Sequence, residues 1–241
     1  MGFFVLLVGI AGIVMIPLAY LIGAKDKKKR LYFSFPIIRW FMKVLSVLSG
    51  AEVTYKGLEN LPEKGQKAVF IGNHRGMFDI LLFYPKIKAP TGFVAKAEMR
   101  TWPVVGQWMR LINCLFIDRG DPKQSLKTII AGIKNVNEGT NMVIFPEGTR
   151  SKVEGEMLDF KPGSFKLATK PKALLIPVAF TNTSAVFEDQ APLVKKAKVA
   201  IEILKPIDTS QLSIDEQNEL PRKVHDMILE RVIANGKELG L

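Results

Sequence analysis

One cysteine, Cys114, and two histidines, His74 and His225, are all the thiol and imidazole in this 241-residue sequence. A single thiol excludes an intramolecular disulfide framework and fits a reducing compartment. So few soft ligands leave no basis for a His/Cys metal site, and none is expected. No Gly-x-Ser-x-Gly elbow is present; the nearest stretch, PGSFK at 162–166, lacks the second glycine. A Walker A sequence and a Gly-x-Gly-x-x-Gly loop are also missing, which removes support for nucleotide hydrolysis and dinucleotide binding. No period of 20–50 residues appears, so solenoids and propellers are excluded. Acidic residues are the scarcer charge, 23 against 34 basic, for a net +11. That excess suits nucleic acid, but no recognisable module or aromatic-rich basic motif accompanies it, and no nucleic-acid partner is expected. With 48% apolar residues the chain is neither disordered nor collagen-like.

The apolar residues are concentrated at the start. Residues 2–24 carry no charge, and as a helix would reach about 35 Å, enough for a hydrocarbon core of about 30 Å. KDKKKR follows at 25–30 and holds five basic residues. Beside an apolar segment it reads as a junction at anionic headgroups, on the cytoplasmic side of the cell membrane. A cleaved signal peptide would carry its basic residues before the apolar run, and here they come after it. Over 31–50, Arg39, Lys43, Ser46 and Gly50 recur at helical spacing on a broad apolar surface. That is the pattern of an interfacial helix and, equally, of one packed on a core. Two placements are open: a span followed by a surface helix, or a hairpin in one leaflet bent at Pro17.

Residues 51–241 read as one α/β domain behind this 1–50 anchor. Strands are expected at 67–73, 91–96, 111–119, 141–145, 173–180 and 198–204, with an edge strand over 51–58. Asp121 and Pro122 open a helix over 122–138 that Gly139 closes, and Ser213 with Glu216 makes a capping box for a C-terminal helix running past Pro221. Alternating strands and helices imply a mixed, largely parallel sheet flanked by helices, with ligands beyond the strand carboxyl ends.

The charged motifs fall at those ends. In NHRGMFD (73–79), a turn at Arg75–Gly76 brings His74 to Asp79 in the first turn of the next helix, where the dipole favours a carboxylate. Asp79 then holds one ring nitrogen and leaves the other free as a base. Taken alone, such a pair is also an ordinary helix cap. Cys114 lies in the apolar run LINCLF and reads as a buried residue rather than a nucleophile. The base therefore has to activate a group that a substrate brings. In FPEGTRS (145–151), Gly148 permits a sharp turn with amides facing an anion, Thr149 and Ser151 add hydroxyls, and Arg150 supplies a planar charged fork. A structural turn with Glu147 and Arg150 paired is the plainer reading of that stretch by itself. Lys96 and Arg119 stand at two further strand ends.

NHRGMFD, FIDRG, FPEGTRS and LLIPVAF follow one another in the order of the four motifs of the glycerolipid acyltransferase family, and the sequence resembles its bacterial members over roughly 51–210. The resemblance implies His74 as general base and Asp79 as its orienting partner. It also implies a phosphate- and glycerol-binding set of Lys96, Arg119, Glu147, Gly148, Thr149 and Arg150. The fourth motif, around Ile176 and Pro177, is associated with the acyl donor or with packing. The implied reaction moves a fatty acyl group from acyl-CoA or acyl-carrier protein, as co-substrate without further cofactor, to the sn-2 hydroxyl of lysophosphatidic acid. Phosphatidic acid for phospholipid biosynthesis results, and membrane lipids are the natural partners. A thioesterase and a non-catalytic membrane adaptor are the rival readings; product analysis separates the first, and survival of His74 loss the second.

Overall fold

The computed structural model describes residues 2–241, with the side chains of residues 2–8, 10 and 11 outside the described set, so the membrane segment expected over 2–24 lies partly outside the described residues. Two helices come first, α1 (Gly2–Ile22) and α2 (Lys27–Leu48). They fold back on each other through a tight turn, where a Cβ on Gly23 would collide with Arg30. Asp26 caps α2 by accepting from the Lys28 amide at 2.8 Å. KDKKKR is therefore not a separate junction: its last four residues are the first turn of α2. Four cations at the positive end of a helix dipole are mutually unfavourable, each by up to about 1 kcal/mol. Arg30 lies over the Tyr20 ring.

The sheet comprises β1 (Glu52–Lys56), β2 (Ala68–Gly72), β3 (Thr91–Lys96), β4 (Leu115–Ile117), β5 (Asn141–Ile144), β6 (Leu174–Thr181), β7 (Lys198–Ile203) and β8 (Ile207–Asp208). Their order is β1-β7-β6-β2-β5-β3-β4, with β8 beside β6. Pairings are parallel except β6 with β7 and β6 with β8. The mixed, largely parallel sheet read from the sequence is thus present, and β1 is the expected edge strand. Pro177 sits inside β6 between the residues paired to β8 (Leu174, Leu175) and those paired to β7 (Val178–Thr181). At that gap a missing N–H costs no ladder bond, so proline is tolerated in a central strand.

Helices α3 (Met77–Phe83), α4 (Val105–Leu111), α5 (Pro122–Asn137), α6 (Lys166–Thr169) and α7 (Ile214–Leu239) complete the domain. The central strands are apolar throughout because both faces are covered. Phe70, Val143, Ile176 and Phe180 enter one core layer, while Val69, Met142, Ile144 and Leu175 enter the other. The first layer includes Leu31, Phe35 and Ile38 of α2, so this helix packs on the domain. The run at 111–119 departs from expectation. Leu111 ends α4, Asn113 turns at φ 60°, and the strand contracts to Leu115–Ile117. Leu111 and Ile112 are apolar because they are core residues at a helix end, which a strand pattern mimics. Cys114 is buried beside the Phe93 amide, and desolvation pushes its thiol pKa well up.

Candidate active site

β2 to β6 run parallel, so their carboxyl ends share one edge of the sheet. Asn73 finishes β2 by acting as an extra strand residue. Its side chain donates to Phe180 O and accepts from Phe180 N, both at 2.8 Å, and fixes β2 to β6. His74 follows, and its Nδ1–H donates to Asp79 Oδ2 at 2.7 Å. Asp79 is the third residue of α3, where the helix dipole supports its charge. Oδ2 also accepts from the Arg75 and Gly76 amides at 2.8 and 2.9 Å, and Oδ1 accepts from Thr183 Oγ1. The carboxylate is fully buried with four donors on it. Among the described residues Nε2 of His74 has no partner and faces the cavity. The ring stacks on Phe145 with centroids 4.3 Å apart and planes 14° apart.

Glu147 and Gly148 do not line the cavity that His74 faces. The Glu147 carboxylate is buried and accepts the His74 amide at 2.7 Å and the Leu158 amide at 3.0 Å. It braces the loop that carries His74, and desolvation raises its pKa against those two bonds. Gly148 adopts φ +75°, and its amide is used within the turn, donating to Phe145 O at 3.1 Å. Between Pro146 and Ser151, the amides without a partner among the described residues are those of Glu147, Thr149 and Arg150.

Thr149, Arg150, Lys96 and Arg119 do converge, together with His74, on one cavity of about 990 Å³. Arg150 lies 3.5 Å from Glu188 Oε1, and Lys96 lies 2.6 Å from Glu98. Loss of water around part of the Arg119 guanidinium, with repulsion from Arg150, lowers its pKa. The same cavity has apolar lining from Ile38, Phe41 and Met42 of α2, Leu81 of α3, and Trp108 and Met109 of α4.

Residues to which the sequence reading gave no binding or catalytic role complete the site. Buried Arg75 donates to Ser151 O at 2.7 Å and Ser184 Oγ at 3.0 Å, and pairs with Glu154 at 3.1 Å, tying three loops together. Glu188 accepts the Met77 amide at 2.7 Å and crowds Gly76, leaving no room there for a Cβ. Desolvation raises the Glu188 pKa, and its Oε2 is buried without a hydrogen-bond partner. Thr183 had one usable signal, a hydroxyl just past the LLIPVAF strand that pairs with β2.

The Acyltransferase family model matches residues 52–181, more than half of the chain. The chain is 32% identical over 204 residues to the 1-acyl-sn-glycerol-3-phosphate acyltransferase of Saccharomyces cerevisiae, covering 84% of this chain and 65% of that protein. It is 29% identical over 199 residues to the protein of the same name from Borreliella burgdorferi, covering 83% and 79%. It therefore spans just under two thirds of the yeast protein's length. The crystal structure of the 1-acyl-sn-glycerophosphate (LPA) acyltransferase PlsC from Thermotoga maritima superposes with a TM-score of 0.78 at 25% identity, over 94% of this chain and 89% of that one. With a His-x-x-x-x-Asp pair assembled at the carboxyl edge of the sheet and a family match across that whole edge, the chain belongs to the acyltransferase family.

Proposed function

We propose that the chain transfers a fatty acyl group from a thioester donor to the sn-2 hydroxyl of lysophosphatidic acid, producing phosphatidic acid. The observation that carries this reading is the free Nε2 of His74, facing a cavity lined both by cations and by apolar side chains. The acceptor phosphate meets Arg150, Lys96 and Arg119, with Thr149 beside them. Its hydroxyl reaches Nε2, which removes the proton as the oxygen attacks the thioester carbonyl. The tetrahedral intermediate collapses, the C–S bond breaks, and the departing sulfur takes the proton back from the imidazolium. Asp79 holds the ring in the tautomer that leaves Nε2 unprotonated and stabilises the transient charge. General-base help contributes about 10²–10⁴ in rate. One acyl chain lies along the apolar wall between α2 and α4.

The same reading sets the chain at a membrane surface with its α/β domain on the cytoplasmic side. Among the described residues, Lys27–Leu48 is the one helix long and apolar enough to cross a membrane. One face of it lines the cavity, so it lies against the domain instead of crossing lipid alone. Trp40, Val47 and Leu48 on α2 and Ile13 and Leu21 on α1 are exposed, giving the hairpin an outward apolar surface suited to one leaflet. Lys27–Arg30, ill placed on a helix start, gain about 1 kcal/mol each near anionic headgroups.

Purified full-length protein supplied with labelled palmitoyl-CoA and lysophosphatidic acid should form labelled phosphatidic acid, and His74→Ala should not. Labelled free fatty acid without acceptor, in place of phosphatidic acid, would make the protein a thioesterase. A His74→Ala variant with full activity would remove the base.

A further inference from the structure

A second chamber, of about 270 Å³, adjoins the active-site cavity and shares Val94, Arg119 and Phe145 with it. The two lie on opposite faces of the sheet. The cavity opens on the α2–α4 face, and the chamber opens on the α5 face, over Ile129 and Ile144. They meet above the carboxyl ends of β3, β4 and β5.

The chamber's charge is one-sided. Arg119, Lys161 and Lys166 line it, and no acidic residue does. Among the described residues none of these three has an ion-pair partner, whereas Lys96 and Arg150 in the larger cavity each have one. Lys161 Nζ packs into the space above Gly148, where a Cβ would come within 2.7 Å of it. The glycine turn of the third motif thus makes room for a cation on its far side. Three cations without an ion-pair partner around a small pocket make it a positive site that an anion can fill. Their floor is apolar, with the Ser125 and Ser164 hydroxyls beside it.

We propose that this chamber takes the phosphorylated pantetheine arm of the acyl donor. The inference rests on the acyl-transfer reading above. A donor thioester has an apolar tail, a reactive carbonyl and an arm of amides and gem-dimethyl carbon that ends in phosphate. Draped over the strand edge, such a molecule puts the tail on the α2–α4 face, the thioester beside His74 and the phosphate between Lys161 and Lys166. The acceptor phosphate stays with Arg150 in the larger cavity. Coenzyme A and acyl-carrier protein share this arm, so the chamber reads their common chemistry.

The test uses full-length protein and four palmitoyl donors: S-palmitoyl pantetheine, S-palmitoyl 4′-phosphopantetheine, palmitoyl-CoA and palmitoyl-carrier protein. A charge-assisted phosphate contact corresponds to about a tenfold change in affinity or more. Lys161→Gln/Lys166→Gln should therefore raise KM at least about tenfold for the three phosphorylated donors. It should leave KM for S-palmitoyl pantetheine and for lysophosphatidic acid unchanged, and Lys161→Arg should retain near wild-type donor KM. Wild-type rates with the last two donors distinguish the two carriers. A rise in acceptor KM with donor KM unchanged overturns the proposal, as does equal loss with S-palmitoyl pantetheine. Loss confined to palmitoyl-CoA overturns it in favour of the nucleotide phosphates. Wild-type protein that makes no phosphatidic acid would sink the acyl-transfer reading. Wild type that makes it, beside a double variant with normal donor KM, would sink the chamber alone.

Discussion

Asp79 holds one side chain, two amides and one hydroxyl at once, and its neighbours separate its roles. Asp79→Asn turns an acceptor into a donor against amides that have no other partner, a cost of about 1–3 kcal/mol in stability in addition to the lost orientation of His74. Thr183→Val removes a single donor to Oδ1 and leaves the amide contacts intact. It should lower kcat with little change in either KM, and Thr183→Ser should restore it; steady-state kinetics decides. Glu188 gives a pH test. Its folded pKa lies above the ordinary 4.5 through desolvation, so its ionisation in the fold is a cost. Stability from this group is present below the unfolded pKa and is lost as pH rises through the folded one. Glu188→Gln keeps the Met77 acceptor and removes the charge. Relative to wild type its melting temperature should therefore climb as pH rises from about 4.5 into the neutral range. A difference that is flat with pH would mean Arg150 fully compensates the carboxylate.

The N-terminal helices were the elements least legible in the sequence. Periodicity could tell that 31–50 has a broad apolar surface, but not that one side of it, with Phe35 and Ile38, is buried in the domain core and lines the cavity while another is left uncovered. Both destinations ask for the same residue types. Except for β4, the strands that carry the motifs were legible to within a residue or two, because buried parallel strands are continuous apolar runs. α4 was hidden by a similar run at 111–119. In the site, His74, Asp79 and the convergence of Lys96, Arg119, Thr149 and Arg150 could be read from motif order. Arg75, Thr183 and Glu188 could not, since a long-range partner leaves no local pattern. Deleting 1–26 should impair turnover of long-chain lysophosphatidic acid in bilayers while sparing a short-chain soluble analogue, because α2 stays. Deleting 1–50 should abolish both, because Ile38, Phe41 and Met42 leave with it. Equal activity of the two truncations on the soluble analogue would remove α2 from the site. The third-motif turn offers a smaller test: Gly148→Ala, at φ +75°, should cost about 1–2 kcal/mol in a denaturant titration and displace Lys161.

At the level of the whole molecule, no single segment contains the reactive centre. His74 is braced by Glu147, 73 positions along the chain. Asp79 is held by Thr183 across 104 positions, and Asn73 is clamped to Phe180 across 107. Closing loops of that length carries an entropy cost, and parallel pairing is slow for the same reason. His74 thus acquires its geometry only when β2, β5 and β6 have all docked, whereas α5 and α7 are local structures with their own caps. In a refolding experiment, helical circular dichroism should return ahead of catalytic turnover. The clamp between Asn73 and Phe180 is then a timer: Asn73→Ala should widen that interval, because the last contacts to form are the ones that switch the protein on.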